Sequence, residues 1–236
     1  MKQAVKAVRV PVTEIFSSLQ GEGSRMGERH IFIRFGACNL SCVYCDESKK
    51  RSRRMSLADI LREIARLEKK SGSHRYVSLT GGEPLLYADF LMRLCQELRK
   101  KYRILLETNG VLWREFSRIR RYCDLVSMDL KLASVTKQKD LLEDHRRFLA
   151  LARAKDLYIK MVVSKHVDLQ EFCRHLHMVA RVAPRTTVFL QPVSRGKGVY
   201  PDPLLMKYLG KLQQIGARIL PDVRVGIQLH KILNIR

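Results

Sequence analysis

The sequence predicts an α/β fold: a parallel sheet with intervening helices, arranged as an incomplete (β/α) barrel or an open sheet. Three observations predict it. Short runs rich in Val, Ile and Leu alternate with amphipathic segments, the pattern of repeated βα units. Several of these runs are apolar on both faces, as buried parallel strands should be. The chain has 236 residues, whereas a closed eight-fold barrel usually takes about 250.

The strands are expected, in order, at "IFIRFG" (31–36), "YVSLT" (76–80), "RILLET" (103–108), "LVSMDL" (125–130), "LYIKMVV" (157–163), "TVFLQPV" (187–193) and "VRVGIQL" (223–229). After the first of these, "SLADILREIARLEKK" places Leu57, Ile60, Leu61, Ile64 and Leu67 on one helical stripe, and Ser56 with Asp59 offers a capping box. Further helices fit 90–101, 138–154, 169–182 and 203–215. No internal repeat, long linker or low-complexity tract interrupts the pattern, so one domain over 1–236 is expected. In such folds chemistry belongs at the C-terminal ends of the strands.

Composition narrows the function classes. No apolar run approaches a membrane span, and the N-terminal stretch has no apolar h-region, so neither a membrane protein nor a signal peptide is expected. Six clustered or scattered cysteines suggest metal or redox work in a reducing, cytoplasmic compartment rather than a disulfide scaffold. Lys and Arg number 45 against 23 acidic residues, a net charge of +22. That balance predicts attraction to anions, whether nucleic acid, acidic proteins or acidic small molecules.

Cys38, Cys42 and Cys45 follow the first predicted strand with the spacing C-x3-C-x2-C. A structural zinc site would want a fourth ligand, and no nearby His or second C-x-x-C pair supplies one. Cys95, Cys123 and Cys173 are scattered on or beside helical segments and read as small buried apolar residues. A [4Fe–4S] cluster normally takes four thiolates; three would leave one iron open to bind something else.

This spacing resembles the signature of the radical S-adenosylmethionine (SAM) enzymes. "LTGGEP" (79–84), at the end of the next strand, looks like their glycine-rich turn for the methionine amino group, and Tyr44 matches the aromatic position before the third cysteine. The resemblance implies an incomplete barrel of the radical SAM type, a [4Fe–4S] cluster on Cys38, Cys42 and Cys45, and SAM chelating the open iron. One electron from the cluster would then break a C–S bond of SAM.

Within that group, "SLQGEG" (18–23), "ETNG" (107–110), "FLQPV" (189–193) and "QLHK" (228–231) are similar to the 7-carboxy-7-deazaguanine synthase family. Its members rearrange 6-carboxy-5,6,7,8-tetrahydropterin, release ammonia and use Mg²⁺. The resemblance implies that Leu19, Gln20 and Gly21 line the pterin and that Glu22 hydrogen-bonds its amino-pyrimidine edge. Arg34 would pair with a substrate carboxylate, Thr80 would touch the substrate, and His230 would close the pocket. On the cofactor side it implies Tyr44, Asp46, Gly81, Gly82, Glu83, Glu107, Asn109, Ser127 and Gln191. It also implies a homodimer.

Two departures stand out. Where the family commonly has a Mg²⁺-ligating Thr, this chain has Glu47, with Ser48 beside it. "SMDLK" (127–131) is closer to the glycyl-radical activating enzymes, in which the Asp and Lys contact SAM, so Asp129 and Lys131 are cofactor candidates and such an activator is the alternative function. A nucleic-acid-binding protein with a structural metal site is a second alternative. The charge favours it, but no RNA-binding signature with stacking aromatics appears. The run "KKRSRR" (49–54) is read either as a solvated loop or as a dock for an acidic electron donor such as a flavodoxin-like protein.

Overall fold

A computed structural model describes residues 8–46, 50–193 and 202–235. In chain order the elements are β1 (Arg9–Leu19), β2 (Arg29–Phe35), β3 (Arg53–Ser56), α1 (Leu57–Ser71), β4 (Tyr76–Gly81), α2 (Ala88–Leu98), β5 (Arg103–Thr108), α3 (Trp113–Ile119), β6 (Leu125–Leu130), α4 (Ala133–Thr136), α5 (Leu142–Ala152), β7 (Asp156–Val163), α6 (Leu169–Val182), β8 (Thr187–Pro192), α7 (Pro203–Ala217), β9 (Val223–Val225) and α8 (Leu229–Ile232). The strands form one sheet in the order β3-β1-β2-β4-β5-β6-β7-β8-β9, with β3 and β9 at its edges, so the barrel is not closed.

From β2 through β9 every neighbouring pair is parallel. Side chains alternate across these strands. Val77, Leu79, Ile104, Leu106, Val126, Met128, Ile159, Met161, Val188 and Leu190 all point to the helices and join one core with Ile60, Leu91, Phe116, Phe148, Phe172 and Leu209. The opposite face is divided along its length. Tyr76, Leu105, Leu125, Tyr158 and Phe189 form a second apolar cluster toward the strand starts. Beyond them, on the same alternation, come Thr80, Glu107, Asp129, Lys160 and Gln191, near the strands' C-terminal ends. Those polar side chains are the floor of the site.

The sheet corrects the expected strand list in three places. Seven parallel strands were expected, and the described residues form nine strands. The additional pair, β1 and β3, runs antiparallel to its neighbours. β3 occupies part of the basic run, because its edge position leaves Arg53 and Arg54 exposed while Met55 and Ser56 turn inward. The strand expected over 223–229 ends at Val225, and the chain then turns into α8. The helix expected over 138–154 begins only at Leu142, and α3 and α4 were not expected. The Ser56–Asp59 capping box is present in both directions, and α1 buries Ile60, Ile64 and Leu67.

Candidate active site

The cysteine loop leaves β2 at the C-terminal edge of the sheet and is held there by the glycine turn after β4. Gly82 N–H donates to Phe35 O and Glu83 N–H to Ala37 O, each at 2.9 Å. This close approach needs glycine twice. Gly81 has φ +118°, and a Cβ on Gly82 would lie 1.7 Å from the Ala37 carbonyl oxygen. On its other side the loop is tied to the segment after β6, where Gln138 Nε2 donates to Ser41 O at 2.9 Å. Asn109 Nδ2 donates to Asn39 Oδ1 at 2.7 Å and lies 3.7 Å from Cys38 Sγ.

Two adjoining cavities open at this edge. The first is lined by Cys38, Cys42 and Cys45 together with Tyr44, Gly82, Asn109, Asp129, Lys131 and Gln191. The second is lined by Leu19, Gln20, Gly21, Arg34 and His230, backed by Phe16 and Phe32. Asp46, Glu22, Thr80, Gly81, Glu107 and Gln228 face both. The residues expected at the cofactor and those expected at the substrate therefore fall largely in separate, connected spaces. Ser127 and Glu83 line neither. Ser127 is fully buried on β6, level with Glu107. The Glu83 carboxylate accepts from Leu85 N–H, Asn109 N–H and Thr108 Oγ1, so it braces the turn from below. Burial pushes its pKa up to about 7 despite these donors. Glu47 and Ser48 lie outside the described residues, as does Lys49 of the basic run.

The boundary between the cavities is strongly charged. Lys160, only 7% exposed, places Nζ 2.6 Å from Glu22 Oε2 and 3.4 Å from Asp129 Oδ1. Asp129 also pairs with Lys131 at 2.9 Å. Glu22 Oε1 accepts from Gln191 Nε2 at 3.0 Å and from Gln228 Nε2 at 2.7 Å. Burial alone would raise the Glu22 pKa, but the Lys160 ammonium and these hydrogen bonds overcome it and hold the group down to about 2. Glu107 accepts from Gln20 Nε2 at 2.9 Å and from Thr80 Oγ1 at 3.0 Å. Each bridging carboxylate is thus already held by neighbours that line the cavities.

The second cavity is roofed by the C-terminal segment. Leu229 N–H donates to Gly21 O at 3.0 Å, and a Cβ on Gly21 would lie 2.1 Å from His230 Nδ1. Lys231 reaches Asp46 at 3.4 Å. Arg34 pairs with Glu14 at 3.0 Å, its guanidinium 5.3 Å from the centre of the Phe16 ring, which itself stacks on Phe32 at 5.0 Å. Arg34 lies on an interior strand, between β1 and β4.

Sequence reasoning missed Lys160 and Gln228. The signal for Lys160 was a lone ammonium in the otherwise apolar "LYIKMVV"; Gln228 stood at the head of a motif from which only His230 was singled out.

The donor set suits an iron–sulfur cluster. Three thiols share one cavity, whereas Cys95 and Cys123 are shut into the helix-side core. Burial pushes the Cys38 and Cys42 thiols up, and the nearby Lys131 ammonium opposes that shift. A thiolate is the metal-binding form, so a cation at this position favours loading.

Comparison with known proteins gives the same direction. A family model described as the radical SAM superfamily matches residues 32–179. The chain is 35% identical to the 7-carboxy-7-deazaguanine synthase of Geobacter sulfurreducens, over 94% of this chain and 96% of the relative. It is 30% identical to the enzyme of the same name from Methanocaldococcus jannaschii, over 94% and 99% of the two chains. The crystal structure of QueE from Escherichia coli shares the fold, with a TM-score of 0.65 at 22% identity over 94% of this chain and 95% of that one.

Proposed function

The chain belongs to the 7-carboxy-7-deazaguanine synthase family of the radical SAM superfamily, and from that premise we propose how its residues divide the work. The reaction is conversion of 6-carboxy-5,6,7,8-tetrahydropterin to 7-carboxy-7-deazaguanine with loss of ammonia. The observation that carries the reading is the pair of connected cavities, one lined by the three cysteines and the other by the residues from "SLQGEG", Arg34 and His230.

Cys38, Cys42 and Cys45 would hold the [4Fe–4S] cluster, and Tyr44, Gly82, Asn109, Asp129, Lys131 and Gln191, which line the same cavity, would bind SAM. When bound, the cluster and SAM supply one-electron chemistry able to remove an unactivated hydrogen. The chain's own contribution is recognition, orientation and exclusion of water. Glu22, kept ionised, accepts from the N–H donors of the amino-pyrimidine edge. Arg34 offers a planar fork to the substrate carboxylate, and the stacked Phe16 and Phe32 give that end of the cavity an apolar wall. Burial lowers the His230 pKa, so near neutrality the roof presents a neutral imidazole. Glu83 braces the glycine turn from beneath, and Ser127 lies on the face of Asp129, deeper along β6. Mg²⁺ belongs to the same reading, with Glu47 as its candidate ligand, next in sequence to Asp46, one of three carboxylates that face both cavities.

We also infer a single radical SAM domain, a homodimer and an acidic protein reductant. No helix among the described residues is long and apolar enough to cross a membrane. The relatives favour this function over a glycyl-radical activator or a nucleic-acid-binding module, although Asp129 and Lys131 do sit beside the cysteines.

The test is anaerobic incubation of the iron- and sulfide-reconstituted protein with SAM, dithionite, Mg²⁺ and 6-carboxytetrahydropterin. Formation of the deazaguanine, read by mass, is the expected result. SAM cleavage without that product would keep the superfamily and discard the substrate.

A further inference from the structure

We propose that Lys160 is a positioning residue for substrate recognition: it is the permanent partner of Glu22, whereas Gln191 and Gln228 are exchangeable placeholders that the substrate's N–H edge displaces. The proposal rests on the function given above and deepens it.

Three donors converge on the Glu22 carboxylate, and they are unequal. Gln191 and Gln228 are neutral amides, and both bond Oε1. Lys160 is an ammonium on Oε2 at 2.6 Å. All three bonds end on an ionised carboxylate, but only the Lys160 bond also joins two full opposite charges, whose attraction in a buried site is much stronger than in water. A carboxylate offers about four lone-pair sites, so an incoming pair of N–H donors replaces the amides and takes the remaining acceptor site of Oε2 without evicting the ammonium. The released amides stay useful. Gln191 also lines the cysteine cavity and Gln228 both cavities, so each can turn to a bound ligand.

Lys160 is built for permanence. It rises from β7, inside the sheet, and is almost wholly buried. Asp129 holds Nζ from the β6 side at 3.4 Å. Among the described residues, the charged and titratable groups facing this pair are Glu107 from β5, Asp129 and Lys131 from the end of β6, Tyr158 from β7 and His230 from α8. With Lys160, three carboxylates (Glu22, Glu107 and Asp129) face two ammoniums. Without it they face one, and burial then acts on Glu22 with little to oppose it. A protonated carboxyl is a donor and cannot accept from both N–H groups of the substrate edge. Lys160 therefore sets specificity by keeping Glu22 an acceptor.

The test measures substrate affinity, not turnover. Anaerobically reconstituted holoenzyme carrying SAM, without reductant, is titrated with 6-carboxytetrahydropterin by calorimetry between pH 8 and pH 5.5. In K160M the Kd is expected to rise at least tenfold at pH 7. The ratio of variant to wild-type Kd should grow at least a further threefold as the pH falls to 5.5, because Glu22 now takes up a proton. The ratio cancels any titration of the pterin itself. In K160R, which restores the charge, the ratio should stay within threefold of one and flat with pH. A K160M ratio constant across the range would show a merely structural lysine and overturn the proposal. Should K160M fail to fold, a K160R ratio that rises toward low pH would overturn it instead. Wild type that binds no pterin at any pH would overturn both this proposal and the function on which it rests.

Discussion

Gly82 has no room for a side chain, and the atom in the way is backbone. Its would-be Cβ meets the Ala37 carbonyl oxygen one residue before Cys38, so Gly82→Ala must push the cysteine loop and the turn apart. Overpacking of this kind typically costs about 1–3 kcal/mol. The variant is expected to lose about that much in urea unfolding and to bind SAM at least tenfold more weakly. An alanine that leaves both unchanged would show that the turn yields freely. His145 offers a pH test away from the cavities. It is fully buried on α5 with Nε2 3.1 Å from Asn109 O. Burial, and then the nearby His175, lowers its pKa from 6.5 to about 3. Below pH 6.5 the unfolded chain takes up a proton that the folded chain refuses, so this group's contribution is present above that pH and is lost as pH falls toward 3. From pH 7 to pH 5 the loss is about 2 kcal/mol. Glu83, with its pKa raised to about 7, works the other way over the same range: the folded state binds the extra proton, and acid favours it. The readout is therefore a difference. His145→Gln should lose about 2 kcal/mol less than wild type between pH 7 and pH 5 in urea titrations, and equal losses would remove the assignment.

At the level of elements, β2 and β4 to β8 were legible because both of their faces are buried over most of their length, which leaves near-continuous apolar runs, whereas β9, at the sheet edge with Arg224 and Val225 exposed, was legible in place but not in length. β1 and β3 were not. β1 alternates buried and part-exposed residues around Pro11 and the Ser17–Ser18 pair, and β3 hides two inward residues behind Arg53 and Arg54. Only pairing with each other and with β2 makes them strands, a long-range fact that local pattern does not carry. The site divides in the same way. The cysteines and the glycine turn were legible from spacing. Ser127 and Glu83 fell in the right motifs but line neither cavity: Ser127 shares the face of Asp129 and lies deeper along β6, beside Tyr158, while the turn's own hydrogen bonds turn the Glu83 carboxylate inward. Lys160 needed the sheet register that sets it beside Asp129. The C-terminal α8 is the element with the sharpest consequence. Its segment supplies Gln228 and His230 to the second cavity and bonds to Gly21 and Asp46. It carries none of the cysteines. Removing residues 228–236 should raise KM for the pterin at least tenfold while leaving dithionite-driven SAM cleavage within about threefold of wild type. Loss of SAM cleavage to the same extent as loss of substrate affinity would mean that the segment holds the cysteine loop as well.

Over the whole molecule, the net charge of +22 shapes encounter rather than fold. Some of it is neutralised locally: Asp59 and Glu63 on α1 pair with Arg9, Arg62 and Arg66. The exposed Arg51, Arg53 and Arg54 stand at the edge of the sheet on the chain that leaves the cysteine loop. A reductant must approach that loop, and Cys38 and Cys45 are exposed on it. An acidic protein donor would be drawn there, because a cluster of positive charge beside a target raises the association rate of a negatively charged partner by about 10 to 10³ at low salt, with a range of about 8–10 Å at physiological ionic strength. Reversing Arg51, Arg53 and Arg54 to Glu is therefore expected to slow turnover with a flavodoxin-type donor at least tenfold at low salt. The deficit should shrink as salt is added, because screening removes the wild-type advantage. Dithionite, a small anion that needs no docked orientation, should support both proteins to within about threefold. Equal slowing with the protein donor and with dithionite would place the effect inside the site and remove the docking role from this edge.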